Sequence, residues 1–365
     1  MQKITMVIDL QYGSTGKGLL AGYLAETTCP DTIITAWAPN AGHTYIDRAG
    51  RKYIHTHLAN GIVSPFCKRV FLGPGSMIDP MQLLDEIAQC QDIIDARGIR
   101  IMIHPHAAIV TQRHRDLEAG PMTKIGSTKK GVGAAMIQRI ERNPDDMNIA
   151  SREPLLNKYV VSQSEYMDKL GTASHVLIEG AQGFGLSIYH GFYPYTTSRD
   201  VTVWQILADC GIPRTMAKID LEVFGTCRTY PIRVANRFDE EGKQVGFSGP
   251  VYADQSEITF ESIGQTTELT TVTKLPRRIF TFSQIQIQEA IEFNGVDRVF
   301  LNFANYVKSE AELIRIIDAI ESAGTRVCFM GIGPRFRDVI ETDYWANGVR
   351  RSKLLDIWRS INATS

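Results

Sequence analysis

Hydrophobic positions along this chain follow two periods. Residues 4–10 are a run dominated by apolar and β-branched side chains, the pattern of a strand covered on both faces. Shortly after it, residues 19–26 carry the pattern of a helix. Further strand patterns fall at 32–37, 68–72, 99–103, 175–179, 216–227, 298–303 and 326–330. Helical spacing of apolar residues covers 81–97, stopped by Gly98 as a C-cap, and returns at 201–210, 283–294 and 310–323. Strands alternating with helices predict an α/β fold with a mainly parallel central sheet flanked by helices. No repeat, low-complexity tract or linker interrupts the pattern, so a single domain over 1–365 is expected. Residues 236–256 are polar, charged and glycine-containing, and read as a surface excursion.

Glycine-rich turns sit where the predicted strands end, which is where α/β sheets bind ligands. In the first of them, Gly13-Ser14-Thr15-Gly16-Lys17-Gly18 separates a strand from a helix. That geometry gathers backbone N–H groups around a phosphate, and Lys17 adds a mobile positive charge. The stretch departs from the strict P-loop pattern, because Gln11 stands at the first glycine and Gly18 replaces the Ser/Thr. An ordinary strand-to-helix turn is the plain alternative. Similar turns follow at Asn40-Ala41-Gly42-His43-Thr44, Ile125-Gly126-Ser127-Thr128, Glu179-Gly180-Ala181-Gln182-Gly183 and His190-Gly191-Phe192-Tyr193-Pro194-Tyr195.

Composition narrows the function classes. Lys and Arg number 39 against 40 Asp and Glu, so no basic footprint for direct DNA binding is present. The amino terminus enters a strand without a signal-peptide pattern, and no apolar run is long enough for a membrane span. The 6 cysteines lack CxxC spacing and read as reduced thiols of a cytoplasmic protein. Two histidine pairs, His55/His57 and His104/His106, have no nearby carboxylate or cysteine to complete a metal site, and structural roles are expected for them.

Taken in order, the glycine-rich motifs resemble adenylosuccinate synthetase over nearly the whole chain, whose fold is P-loop-NTPase-like. The length is nearer the compact archaeal type. The chain is also similar to a bacteriophage offshoot of the family that joins aspartate to dGMP, towards a genome in which diaminopurine replaces adenine. The location would then be the host cytoplasm. In this chemistry a nucleoside triphosphate phosphorylates the purine 6-oxygen, and the L-aspartate amine displaces the phosphate at C6.

The resemblance implies roles residue by residue. Gly13, Ser14, Thr15, Gly16, Lys17 and Gly18 would cradle the transferring phosphate, with Lys17 and Ser14 catalytic. The Gly42 carbonyl and Ser14 would meet Mg²⁺, the implied cofactor, and His43 would be the general acid at the 6-oxygen. Asn40, Thr44, Ser127, Thr128, Gln182 and Thr197 would hold the purine monophosphate. Arg142 would reach across a homodimer to that monophosphate. Thr271, Val272, Thr273, Arg277 and Arg278 would bind aspartate, with Arg277 also reaching the nucleotide. Asn302, Asn305, Gly331 and Gly333 would complete the nucleotide site.

Three departures fall where ligands are read. Adenylosuccinate synthetases carry aspartate, a magnesium ligand and N1 base, where this chain has Ser14. Leu275-Pro276-Arg277-Arg278 replaces a run of arginines, the first of which contacts the ribose 2′-hydroxyl. Asn302-Phe303-Ala304-Asn305 replaces a guanine-reading Thr-Lys-Leu-Asp. An amide offers one donor and one acceptor, matching adenine rather than guanine. These substitutions point to dGMP as acceptor and ATP or dATP as donor. The alternatives are an ordinary adenylosuccinate synthetase acting on IMP, and a non-catalytic purine nucleotide-binding protein.

Overall fold

The computed structural model describes residues 3–119, 124–125, 127–213, 220–270, 274–342 and 347–362. A nine-stranded sheet draws its strands from nearly the whole chain. They are β1 (Lys3–Asp9), β2 (Thr32–Thr35), β3 (Arg69–Leu72), β4 (Arg100–Ile103), β5 (His175–Glu179), β6 (Asp220–Arg228), β7 (Arg298–Asn302), β8 (Arg326–Gly331) and β9 (Val339–Glu341). Their order across the sheet is β9-β8-β7-β6-β1-β5-β2-β3-β4. Pairing is parallel throughout except between β8 and β9. The α/β class with a mainly parallel sheet is therefore as the apolar pattern predicts.

β1 lies centrally, with Asp9 opposite Thr226 on β6 and Val7 opposite Glu179 on β5. Alternate side chains of a strand point to opposite faces. Ile4, Met6 and Ile8 enter one core and Val7 the other, so an unbroken apolar run is what the position requires. Helix α1 (Lys17–Thr28) covers the Val7 face with Leu19, Leu20 and Leu24. Its Gly22 lies against the Tyr45 ring, where an added Cβ would come within 2.4 Å.

One sequence expectation needs correction. The predicted helix 81–97 is two helices, Pro80–Gln89 and Gln91–Arg97. Cys90 between them turns out of helical geometry at φ −105°, ψ 8°, and its thiol packs on buried His55, 3.5 Å from Nε2. Residues 236–256 run largely exposed, as expected of a surface excursion, with a short hairpin of strands Arg237–Phe238 and Gln244–Gly246 and with Ser248 and Gln255 buried. Of the predicted strand 216–227, residues 216–219 lie outside the described residues, and the strand runs Asp220–Arg228. Among the described residues no helix is long and apolar enough to cross a membrane.

Candidate active site

The turn from β1 into α1 is built over one buried carboxylate. Asp9 Oδ1 accepts hydrogen bonds from the amides of Gln11 (2.9 Å) and Gly13 (3.2 Å). Its Oδ2 accepts from the Thr15 hydroxyl and from Lys17 Nζ at 2.9 Å. Lys17 also donates to the Gln182 carbonyl at 2.7 Å, and both ion-pair partners are buried. A charge pair this dry is held in one geometry rather than exchanging with water. Gly16 ends the turn at φ 97° and starts α1 with no side-chain cap and no acidic residue in the first turn. The helix amides are thereby left for a ligand. Ser14 sits at φ 58°, left-handed for a side chain that rarely adopts it, and is exposed. Gly183, after β5, closes on the turn from the other side: a Cβ there would lie 2.5 Å from Asp9 Oδ1 and from the Gly13 nitrogen.

His43 is fixed by two side-chain contacts. Its Nδ1 lies 2.8 Å from Glu179 Oε1, at the end of β5. Trp37 stacks on the imidazole with ring centres 3.8 Å apart, and its Nε1 donates to the Glu179 carbonyl at 2.7 Å. A carboxylate only accepts, so Nδ1 carries the proton and Nε2 is left for the cavity, which His43 lines. Burial pulls the His43 pKa below its ordinary value, against the opposing pull of Glu179, and the Lys17 charge lowers it further. The imidazole therefore favours its neutral form at pH 7.

These groups border a cavity of about 770 Å³. Gly13, Ser14, Gly16, Lys17, Gly18, Asn40, Gly42, His43, Thr44, Ser127, Thr128, Gln182, Thr197 and Arg277 all line it, as does Phe303. Gln182 Nε2 donates to Asn40 Oδ1 at 3.1 Å, joining two predicted purine contacts.

Other predicted residues stand elsewhere. Thr15 is buried beneath the turn. Asn302 donates to the Thr15 carbonyl at 3.1 Å and fills the space over Gly16 and Gly331, where an added Cβ would meet it at 2.2 and 2.1 Å. Its place is beneath the phosphate turn rather than on the cavity wall. Gly333 packs on Asp338, and Asn305 is half-buried outside the wall. Arg278 is engaged by Glu257 at 2.7 Å, by the Ser248 hydroxyl and by the Gly249 carbonyl. Arg142 caps the helix Val132–Glu141 at φ 52° and is exposed. Gly126, Thr271, Val272 and Thr273 lie outside the described residues.

The cavity also holds residues that sequence reasoning passed over. Glu118 accepts from the amides of Gly131 (2.7 Å), Gly133 (2.6 Å) and Ala134 (3.2 Å), capping the helix Val132–Glu141. Glu268 pairs with fully buried Arg228 at 2.6 Å. Burial alone would raise the Glu268 carboxyl, but Arg228 and Arg277 hold it below the usual range. The Arg228 guanidinium lies 3.8 Å from the centre of the Phe303 ring. Arg233 lies over Tyr12 at 4.5 Å, and Arg237 faces Ser127. For Asp9 a signal existed, a carboxylate ending an apolar strand just before the glycines. For Glu118, Arg228 and Arg237 the partners are too remote in sequence to be read.

A doubly covered parallel sheet whose central strand ends in an uncapped glycine turn, with a carboxylate-held histidine opposite, defines a phosphate-handling nucleotide enzyme. The profile of adenylosuccinate synthetase matches residues 6–153 and 146–332, and the chain belongs to that family. Within it, the chain is 50% identical over 360 residues to the N6-succino-2-amino-2′-deoxyadenylate synthase of Acinetobacter phage SH-Ab 15497, covering 91% of this chain and 92% of the relative. The enzyme of the same name from Salmonella phage PMBT28 is 47% identical over 362 residues, 93% of this chain and 97% of the relative. Among solved structures, cyanophage S-2L succinoaminodeoxyadenylate synthetase (PurZ), bound to dGMP and dATP, superposes with a TM-score of 0.90 at 43% identity, covering 99% of both chains.

Proposed function

We propose that this chain is a carbon–nitrogen ligase that joins L-aspartate to C6 of dGMP, driven by ATP or dATP, and yields N6-succino-2-amino-2′-deoxyadenylate for diaminopurine DNA. The observation that carries the reading is the phosphate turn. Its lysine and the facing histidine are in place, while its exposed position 14 offers a hydroxyl instead of a carboxylate. Guanine differs from hypoxanthine by a 2-amino group beside N1. Ser14 leaves room for that group and still accepts a hydrogen bond.

Phosphoryl transfer relies on positioning and charge neutralisation. Lys17, held by Asp9, presents its ammonium to the transferring group, together with the open amides of α1. The negative ligands favour protonation of His43, which then donates from Nε2 as phosphate leaves the 6-position. Asn40 and Gln182 hold the purine, Ser127, Thr128 and Thr197 the sugar phosphate, and Arg277 a substrate carboxylate. Thr271, Val272 and Thr273 keep their aspartate-binding assignment from the resemblance. Leu275 gives a 2′-hydroxyl no partner, which favours the deoxy form by roughly 1–3 kcal/mol in a dry site. The donor base is assigned to the Phe303 face.

Mg²⁺ is the expected cofactor and supplies phosphate charge neutralisation when bound. The donors offered, the Ser14 hydroxyl and the Gly42 carbonyl, are hard and neutral, which suits an ion held mainly by phosphates and water. A homodimer is the expected assembly. The helix that ends at Arg142 exposes Ile137 (56%) and Ile140 (65%), an apolar surface that a second copy would cover. The test of the activity is incubation with aspartate, ATP and each of IMP, dIMP, GMP and dGMP, with mass detection of succinylated product. Product from dGMP is expected. Product from IMP alone would make the chain an ordinary adenylosuccinate synthetase, and no product with intact nucleotide binding would leave a binding protein.

A further inference from the structure

The polar segment 236–256 has no part in the reading above, yet it is stitched to the cavity wall. The Phe247 amide donates to the Lys124 carbonyl at 3.1 Å, and Arg237 Nη2 donates to the Ser127 carbonyl at 3.3 Å. Both contacts fall on the loop that carries Ser127 and Thr128. From there Arg237 lines the cavity, and its Nε is buried without a hydrogen-bond partner. A guanidinium has five N–H donors, and a buried orphan among them signals a missing acceptor.

Among the described residues, no carboxylate on the wall is free to supply that acceptor. The carboxylates lining the cavity are Glu118 and Glu268. Glu118 is taken up by the amides of Gly131, Gly133 and Ala134, and Glu268 by Arg228. The occupation of Glu118 has a second effect. The helix Val132–Glu141, which starts beside Ser127 and Thr128, has the Gly133 and Ala134 amides of its first turn filled by Glu118 and so carries a negative charge at its tip. An anion arriving there needs a side-chain cation. Ser127 Oγ already accepts from the Lys129 amide at 3.1 Å, which leaves its hydroxyl hydrogen available as a donor.

We propose that the segment 236–256 is an intrachain clamp and that Arg237 binds the 5′-phosphate of the acceptor nucleotide, beside Ser127 and Thr128. The proposal rests on the reading above for which ligand lies on this loop. It concerns a monophosphate dianion, whose oxygens suit the parallel donors of an arginine.

The test uses full-length Arg237→Gln and Arg237→Lys, each checked for a cooperative thermal transition. A charge-assisted hydrogen bond is worth roughly ten- to a hundredfold in affinity. Arg237→Gln should raise KM for dGMP by about that factor, leave KM for ATP within about twofold, and recover partly in Arg237→Lys. Calorimetric binding gives the control: the preference of wild type for dGMP over deoxyguanosine should shrink in Arg237→Gln. Equal weakening of dGMP and deoxyguanosine, or an unchanged KM for dGMP, would overturn the clamp. Wild-type turnover of dGMP tests the underlying reading separately. Were IMP the substrate, the same series run with IMP and inosine would decide the clamp alone.

Discussion

Replacing Asp9 by asparagine keeps the shape of the residue under the phosphate turn and removes its charge. Asp9 accepts from four donors, the Gln11 and Gly13 amides, the Thr15 hydroxyl and the Lys17 ammonium. Asparagine has one acceptor oxygen. If that oxygen keeps the two amides, the new NH₂ group faces Thr15 and Lys17, which are donors themselves. Lys17, with 6% exposure, is left without a counter-ion. Removing one partner of a buried pair costs about 3–5 kcal/mol, enough to lower the melting temperature by several degrees in a chain of this size. On the proposed role of Lys17 at the transferring phosphoryl group, with dGMP held mainly by other loops, the catalytic loss should exceed the binding loss. Asp9→Asn should lower kcat about a hundredfold or more and change KM for dGMP by less than about threefold. Steady-state assays at saturating aspartate and ATP, paired with thermal denaturation, measure both. Wild-type kcat together with an unchanged melting temperature would refute the hub role of Asp9.

Other consequences are equally concrete. Phe303→Ala should raise KM for ATP and dATP about tenfold or more, from the usual worth of base–aromatic stacking, with KM for dGMP unchanged; an equal rise for both nucleotides would move the donor base elsewhere. His43→Ala should retain the fold and lose about a hundredfold in turnover, and near wild-type turnover would remove His43 from the chemistry. The ligand-free protein should lose stability on acidification. Burial lowers His43 and pushes His55, His57 and His104 down to about 4. The unfolded chain therefore binds more protons below its histidine range near 6.5, and stability falls as pH drops from there towards 4. A melting temperature that is flat or rises between pH 7 and 5 would contradict this.

The sequence made the sheet legible because its inner strands are covered on both faces and so read as apolar runs. Helix 81–97 failed at Cys90, whose turn is set by packing on His55 rather than by a glycine or proline. The phosphate turn, His43, Gln182 and Arg277 could be located because glycines and their neighbours sit in one short segment each. Adjacent residues of an extended segment point opposite ways, so Arg277 and Arg278 do not share the cavity, and no pattern tells which one faces it. Asn302 resembled a base reader yet supports Thr15, a contact spanning 287 positions. The partnerships of Glu118, Arg228 and Arg237 likewise arise only when distant loops meet.

On the proposed reading, position 14 selects a 2-aminopurine. The direct measurement is kcat/KM for dGMP, GMP and IMP in wild type and in Ser14→Asp. Wild type should favour dGMP over GMP by about ten- to a hundredfold, from the unpaired 2′-hydroxyl near Leu275. It should also favour dGMP over IMP, and Ser14→Asp should shift that preference towards IMP. A wild type that prefers IMP, or a Ser14→Asp variant with an untouched 2-amino preference, would contradict the reading.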